Sequence, residues 1–163
     1  MDDNIYISYI DEKFNKTHMK TNLIIPLNRI YSINKPLNAF WASREDAEFG
    51  WKDWCIDNEC TDWIKNKEIF KFKLSDNAKI FYIETVDDLE NIPYYKDQNE
   101  TDIILKELLY IDFDKMRQGG YDGIELLDPC IGHMFINPKE ICFNSWDCQS
   151  ITIWNPDIIV PIQ

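Results

Sequence analysis

A chain of 163 residues, 45% hydrophobic and 28% charged, is long enough to form one domain with a buried core. Its net charge of −12 argues against a nucleic-acid backbone as ligand, because phosphate chains need a basic surface; a small phosphorylated ligand held by one or two basic residues stays compatible. Five cysteines without a CxxC pair, and only two histidines, argue against a zinc site and fit free thiols in a reducing compartment. The acidic start Met1-Asp2-Asp3-Asn4 lacks a signal-peptide core, and no apolar run approaches about 18 residues, so the expectation is a soluble, cytoplasmic protein with no membrane span. Aromatic residues reach 14%, with six tryptophans, and such side chains often line clefts and interfaces.

In chain order, residues 4–10 (Asn-Ile-Tyr-Ile-Ser-Tyr-Ile) read as a first strand rich in β-branched and aromatic residues. Residues 11–22 are polar loop, and 23–33 bring a second apolar run in which Arg29, Tyr31 and Ile33 share one face. Asn34-Lys35-Pro36-Leu37-Asn38 is a turn, followed by a short strand Ala39 to Ser43. Ser43-Arg44-Glu45-Asp46 resembles a capping box, so Ser43 is the expected N-cap of a helix whose Trp51 and Trp54 share a face. Glu68–Leu74 and Ala78–Ile83 are predicted strands around a Ser75-Asp76-Asn77 turn.

Thr85 is the expected cap of a short helix, 86–91, that stops before Pro93. The spacing of Ile104, Leu105, Leu108 and Leu109 predicts a helix over 102–110. Asp112 caps another over 113–118, closed by Gly119 and Gly120. Ile124, Leu126 and Leu127 then form a buried strand on which Glu125 points to the opposite face from Ile124 and Leu126. A carboxylate on such a strand is uncommon unless it is paired or solvated in a cleft; the plainer reading is a strand with a polar outer face. Strands over 133–136, 140–143 and 146–154 complete the chain. Short strands with interspersed helices and no βαβ rhythm point to an α+β class, with two small, mostly antiparallel sheets in a single domain over 1–163. There is no GxGxxG or GxxxxGK[ST] motif for a Rossmann or P-loop nucleotide site.

Three stretches carry a family resemblance: Lys35-Pro36 with Phe40-Trp41-Ala42-Ser43 and Gly50-Trp51-Lys52-Asp53-Trp54-Cys55; Tyr121-Asp122-Gly123-Ile124-Glu125; and Trp146-Asp147-Cys148-Gln149-Ser150 with Trp154. Together they resemble small mono-ADP-ribosyltransferase-like proteins of bacteria and phages, over about residues 29–158. The resemblance implies an ADP-ribosyltransferase-like fold. It implies NAD as co-substrate without a metal, and a host protein as acceptor, for a toxin, effector or phage-borne inhibitor of a host enzyme. It implies Arg29 as the early basic element, Ser43 as the serine after an aromatic strand, and Glu125 as the catalytic carboxylate. Trp41, or Trp51 or Trp54, would stack near the nicotinamide ring.

A positioned carboxylate suits this chemistry, because cleaving the nicotinamide–ribose bond passes through an oxocarbenium-like state. Phe40, Trp41 and Glu125 are accordingly expected in one cleft. The sequence departs from the family pattern at Gly123, where many members carry Glu or Gln, and this leaves the acceptor side chain open. Competing readings are a non-catalytic acidic mimic that blocks a basic partner site, an NAD glycohydrolase, and a Cys130/His133 hydrolase, the weakest of the three.

Overall fold

The computed structural model describes residues 4–15, 34–36, 39–94, 108–130, 133–136, 139–143 and 146–162. The protein is α+β. Its strands are β1 (Tyr6–Ile10), β2 (Phe40–Arg44), β3 (Glu68–Leu74), β4 (Ile80–Ile83), β5 (Leu108–Leu109), β6 (Gly123–Leu126), β7 (His133–Ile136), β8 (Lys139–Cys142), β9 (Ser150–Ile153) and β10 (Ile159–Pro161). Its helices are short: α1 (Trp51–Asp57), α2 (Val86–Leu89) and α3 (Phe113–Gln118), with 3-10 turns at Thr61–Trp63 and Pro156–Ile158.

Seven strands form one mixed sheet in the order β10-β3-β1-β2-β9-β6-β4, and β5-β8-β7 form a separate three-stranded ladder. The main sheet is therefore larger than the small sheets expected. The strands around Ser75-Asp76-Asn77 do not pair with each other: β3 lies near one edge and β4 forms the other, parallel to β6. Leu108 and Leu109 lie in a strand rather than at the end of a helix, and the rest of the helix expected over 102–110 falls outside the described residues.

Local chemistry sets the helix ends. Asp112 accepts from the Lys115 amide at 3.0 Å, and the Asp88 carboxylate closes the first turn of α2 by accepting from the Glu84 and Thr85 amides. α3 stops where Gly120 takes a left-handed φ of 82°.

Alternation divides the main sheet into two faces, both covered at its middle strands. One carries Ile83, Ile124 and Leu126 and packs on Leu89, Phe113, Met116, Trp146 and Trp154. The other carries Tyr6, Ala42, Phe72, Ile151 and Ile153 and packs on Ile158 and, at its margin, Phe14 and Phe40. At β6 and β9 both faces are therefore apolar cores, and a side chain there that points away from one core enters the other rather than water; on β3 and β10 the second face is open, with Ile69 and Val160 about half exposed.

Gly123 sits where two strands touch. A Cβ at this position would lie 2.7 Å from the Thr152 carbonyl oxygen and 3.1 Å from Ile80 Cδ1. That approach explains why position 123 is a glycine. Gly123→Ala should lower the unfolding free energy by about 1–3 kcal/mol, the usual cost of overpacking. A urea midpoint equal to wild type would show that β9 can move aside.

Candidate functional site

Two polar constellations lie on opposite faces of the main sheet, and the strand registers separate them. Trp41 pairs with Thr152, and Thr152 with Ile124, so these three side chains share one face. Glu125 pairs with Ile151, and Ile151 with Ala42, so Glu125 points the other way. Of the expected cleft, Phe40 and Trp41 do line one cavity, but Glu125 does not join them. By register the Phe40 side chain projects to the Glu125 face, though Phe40 also borders the cavity, while Trp41 and Ser43 project to the other face.

Glu125 is 1% exposed, and its carboxylate accepts three hydrogen bonds. Arg44 Nε donates to Oε1 at 2.7 Å and Arg44 Nη2 to Oε2 at 3.0 Å, a bidentate fork. The Tyr6 hydroxyl donates to Oε2 at 3.0 Å. Burial, with the Glu125 charge beside it, pushes the Tyr6 hydroxyl far above its ordinary range, so Tyr6 stays a donor. Arg44 also lies 6.0 Å from the Tyr82 ring centroid and keeps about a quarter of its side chain exposed. Glu125 thus joins β6 to β2 and β1 across β9, and both carboxylate oxygens are engaged.

On the opposite face is a cavity of about 330 Å³. Tyr9 of β1, Trp41 and Ser43 of β2, Trp51 of α1, Lys35, and Asp147 and Cys148 of the segment before β9 line it. Lys35 Nζ sits 4.8 Å over the Trp41 ring, whose edge packs on Trp146. Burial lowers the Lys35 pKa, while Asp147 and Cys148 oppose the shift. Burial, with Asp53 nearby, raises the Tyr9 pKa.

Ser43 is buried and bonds the first turn of the expected Trp51/Trp54 helix, but that helix starts later than the sequence suggests. β2 continues through Arg44, and α1 begins only at Trp51; the Ser43 hydroxyl accepts from the Trp51 amide at 3.0 Å across eight residues. Gly50 makes room for this contact, since a Cβ there would come 3.1 Å from Ser43 Cβ. Ser43 also lies beside the Cys148 thiol, which burial pushes up to about 11. Trp54 stacks on Trp51 with centroids 5.0 Å apart and lies outside the cavity lining. Arg29 falls outside the described residues.

Of the expected site residues, the fold brings Trp41 and Ser43 together, sets Trp54 behind Trp51, and separates Glu125 from all three. Lys35, Asp147 and Cys148 join the site unannounced. All three lie within the stretches that carry the family resemblance, but no local pattern marks them as neighbours. Among the described residues no cluster of three metal-ligating side chains occurs, and no helix is long and apolar enough to cross a membrane. Comparison with protein-family models, with curated proteins and with solved structures finds no match.

Glu125→Gln should cost about 2–4 kcal/mol of stability. It strands the Arg44 guanidinium, and Arg44's partial exposure keeps the loss below that of a fully buried pair. Chemical denaturation measures this directly, and a midpoint within error of wild type would mean that water replaces the carboxylate.

The Cys148 thiol should resist alkylation at pH 8, where roughly a thousandth of it is thiolate, and react faster up to about pH 11. Its raised pKa favours the folded state below its ordinary value of 9.0, and that contribution fades as pH rises through about 11. Mass spectrometry after iodoacetamide treatment checks this; labelling of Cys148 at pH 8 as fast as exposed Cys130 contradicts it.

Proposed function

We propose that the chain is an NAD-binding domain of the ADP-ribosyl-transfer type, with the cavity on the Trp41 face taking the ligand's nicotinamide end. The observation that carries this reading is the cavity wall itself: the Trp41, Trp51 and Tyr9 rings around a half-buried Lys35 and the Ser43 hydroxyl. Ligand sites are mostly apolar concavities with a few placed polar groups, and this cavity lies at the small end of their size range. Its volume equals about eleven waters, so it holds one substituted heteroaromatic ring; the rest of a dinucleotide would extend past its mouth. Indole faces suit such a ring, and a lysine ammonium suits an anionic oxygen.

The aromatic-to-serine run of β2, which presents Trp41 and Ser43 to the cavity, supports the reading further. An ADP-ribosyltransferase-like architecture belongs to this proposal. So does transfer to a protein acceptor.

The proposal moves the carboxylate. Glu125 lies behind the sheet with both oxygens bound, whereas Asp147 lines the cavity and is exposed. Asp147 is therefore the acid within reach of a ligand there, and Glu125 is the structural one.

Calorimetry with NAD and with nicotinamide tests the binding step. Both should compete for one site, and Trp41→Ala should weaken both by about tenfold or more. Absence of binding at millimolar NAD, or undiminished binding by Trp41→Ala, would sink the reading. Nicotinamide release then assigns the acid. Loss in Asp147→Asn with retention in the folded fraction of Glu125→Gln supports the assignment, and the reverse returns the role to Glu125.

A further inference from the structure

Beside the cavity, three tryptophans form a stacked platform. Trp51 and Trp54 lie 5.0 Å apart and nearly parallel, at 8°; Trp63 stands 5.9 Å from each. Trp63 is 54% exposed, the highest value among the described large hydrophobic side chains. Tryptophan left this open forfeits burial worth a large part of its area, and an exposed aromatic cluster commonly marks a contact surface. Three indoles on a seven-residue helix and the turn after it exceed what α1 needs to dock, since Cys55 is the residue of α1 that is buried.

Charge selects the occupant. From Glu48 to Lys67 the chain carries five carboxylates (Glu48, Asp53, Asp57, Glu59 and Asp62) against three lysines (Lys52, Lys65 and Lys67), of which Lys67 pairs with Asp11. Glu48, Asp57, Glu59 and Asp62 are exposed. A second copy of the chain would bring −12 against −12, and a membrane surface is itself anionic, so both are repelled. A cationic side chain gains from both parts of this surface: an indole face attracts it through the ring quadrupole, and the carboxylates around it steer and hold it.

We infer that the Trp51–Trp54–Trp63 platform is the docking surface for a basic segment of a protein partner, with a Lys or Arg side chain seated against Trp63. The surface meets the cavity at Trp51, which belongs to both. The inference is independent of what the cavity holds.

The test uses the full chain and a Lys/Arg-rich twelve-residue peptide, followed by fluorescence anisotropy. A peptide of the same length with Gln at every basic position serves as the control. Binding of the basic peptide should weaken at least about fivefold in Trp63→Ala and fall steeply between low and physiological salt. The Gln peptide should bind at least tenfold more weakly. Thermal melting of Trp63→Ala should match wild type, because the ring is mostly exposed.

Equal binding of the two peptides, absence of binding by the basic peptide, or undiminished binding by folded Trp63→Ala would each overturn the inference. A Trp63-dependent dimer in sedimentation would overturn it in favour of self-association. Nicotinamide titration of the same variant separates the two proposals, since Trp63 does not line the cavity.

Discussion

The fork between Arg44 and Glu125 is the interaction on which the rest of the sheet depends. It places a charge at the centre of an apolar face, where an unpaired carboxylate would cost several kcal/mol. Three donors remove that cost, two from one guanidinium and one from Tyr6. The geometry demands a register. Tyr6 stands opposite Arg44 in β1 and β2, and β9 must hold β6 at the right height for Arg44 to reach across it. A slip of one residue in β6 would bury Ile124 against Arg44 and drive the carboxylate into the core that holds Phe113 and Met116. The pair adds little net stability over an apolar equivalent, but it penalises the wrong alignment heavily.

Fixing that register also fixes the other face. Once Ala42 and Arg44 face the Glu125 side, Trp41 and Ser43 must face the cavity. Ser43 then ties two segments together, β2 through its backbone and α1 through the Trp51 amide. Gln149 adds a second tie, accepting from the Phe49 amide and donating to the Leu127 carbonyl. The cavity walls therefore come from distant parts of the chain, yet a short list of directed hydrogen bonds holds them. Such preformed walls lower the ordering cost of any ligand that enters.

What could be read from the sequence follows from the range of the forces involved. Asp112, the Thr85–Asp88 pair and Gly119-Gly120 act within four residues of themselves, and their roles appear in the sequence directly. Alternation likewise shows that Glu125 points away from Ile124. It does not show what lies on that side, because a one-sided sheet and a sheet buried on both faces give the same local pattern. The identity of the partner is less legible still. Arg44 immediately follows Ser43, yet its link to Glu125 spans 81 residues and depends on β9 lying between them. β10 is silent in the sequence for a similar reason: Ile159–Pro161 is too short to signal a strand until β3 offers it an edge.

The stretch Tyr121 to Glu125 shows how a catalytic-looking motif can be accounted for structurally. The Tyr121 carbonyl accepts from the Trp154 indole at 2.7 Å. Asp122 accepts from the Lys79 amide and from the Asn155 side chain, and its carbonyl accepts from the Trp154 amide. Gly123 lets the Thr152 carbonyl approach, Ile124 fills one core, and Glu125 neutralises Arg44 in the other. Each residue has a structural task that accounts for its type, so the motif needs no substrate to explain it. Asp147 is different: its charge favours the protonated form of the half-buried Lys35, yet it is exposed at a cavity lip and open to a ligand. Function is best sought where a residue's chemistry exceeds what its packing requires. In this chain that condition is met along the line from Asp147 through Trp41 and Trp51 to Trp63, on the face that Glu125 does not reach.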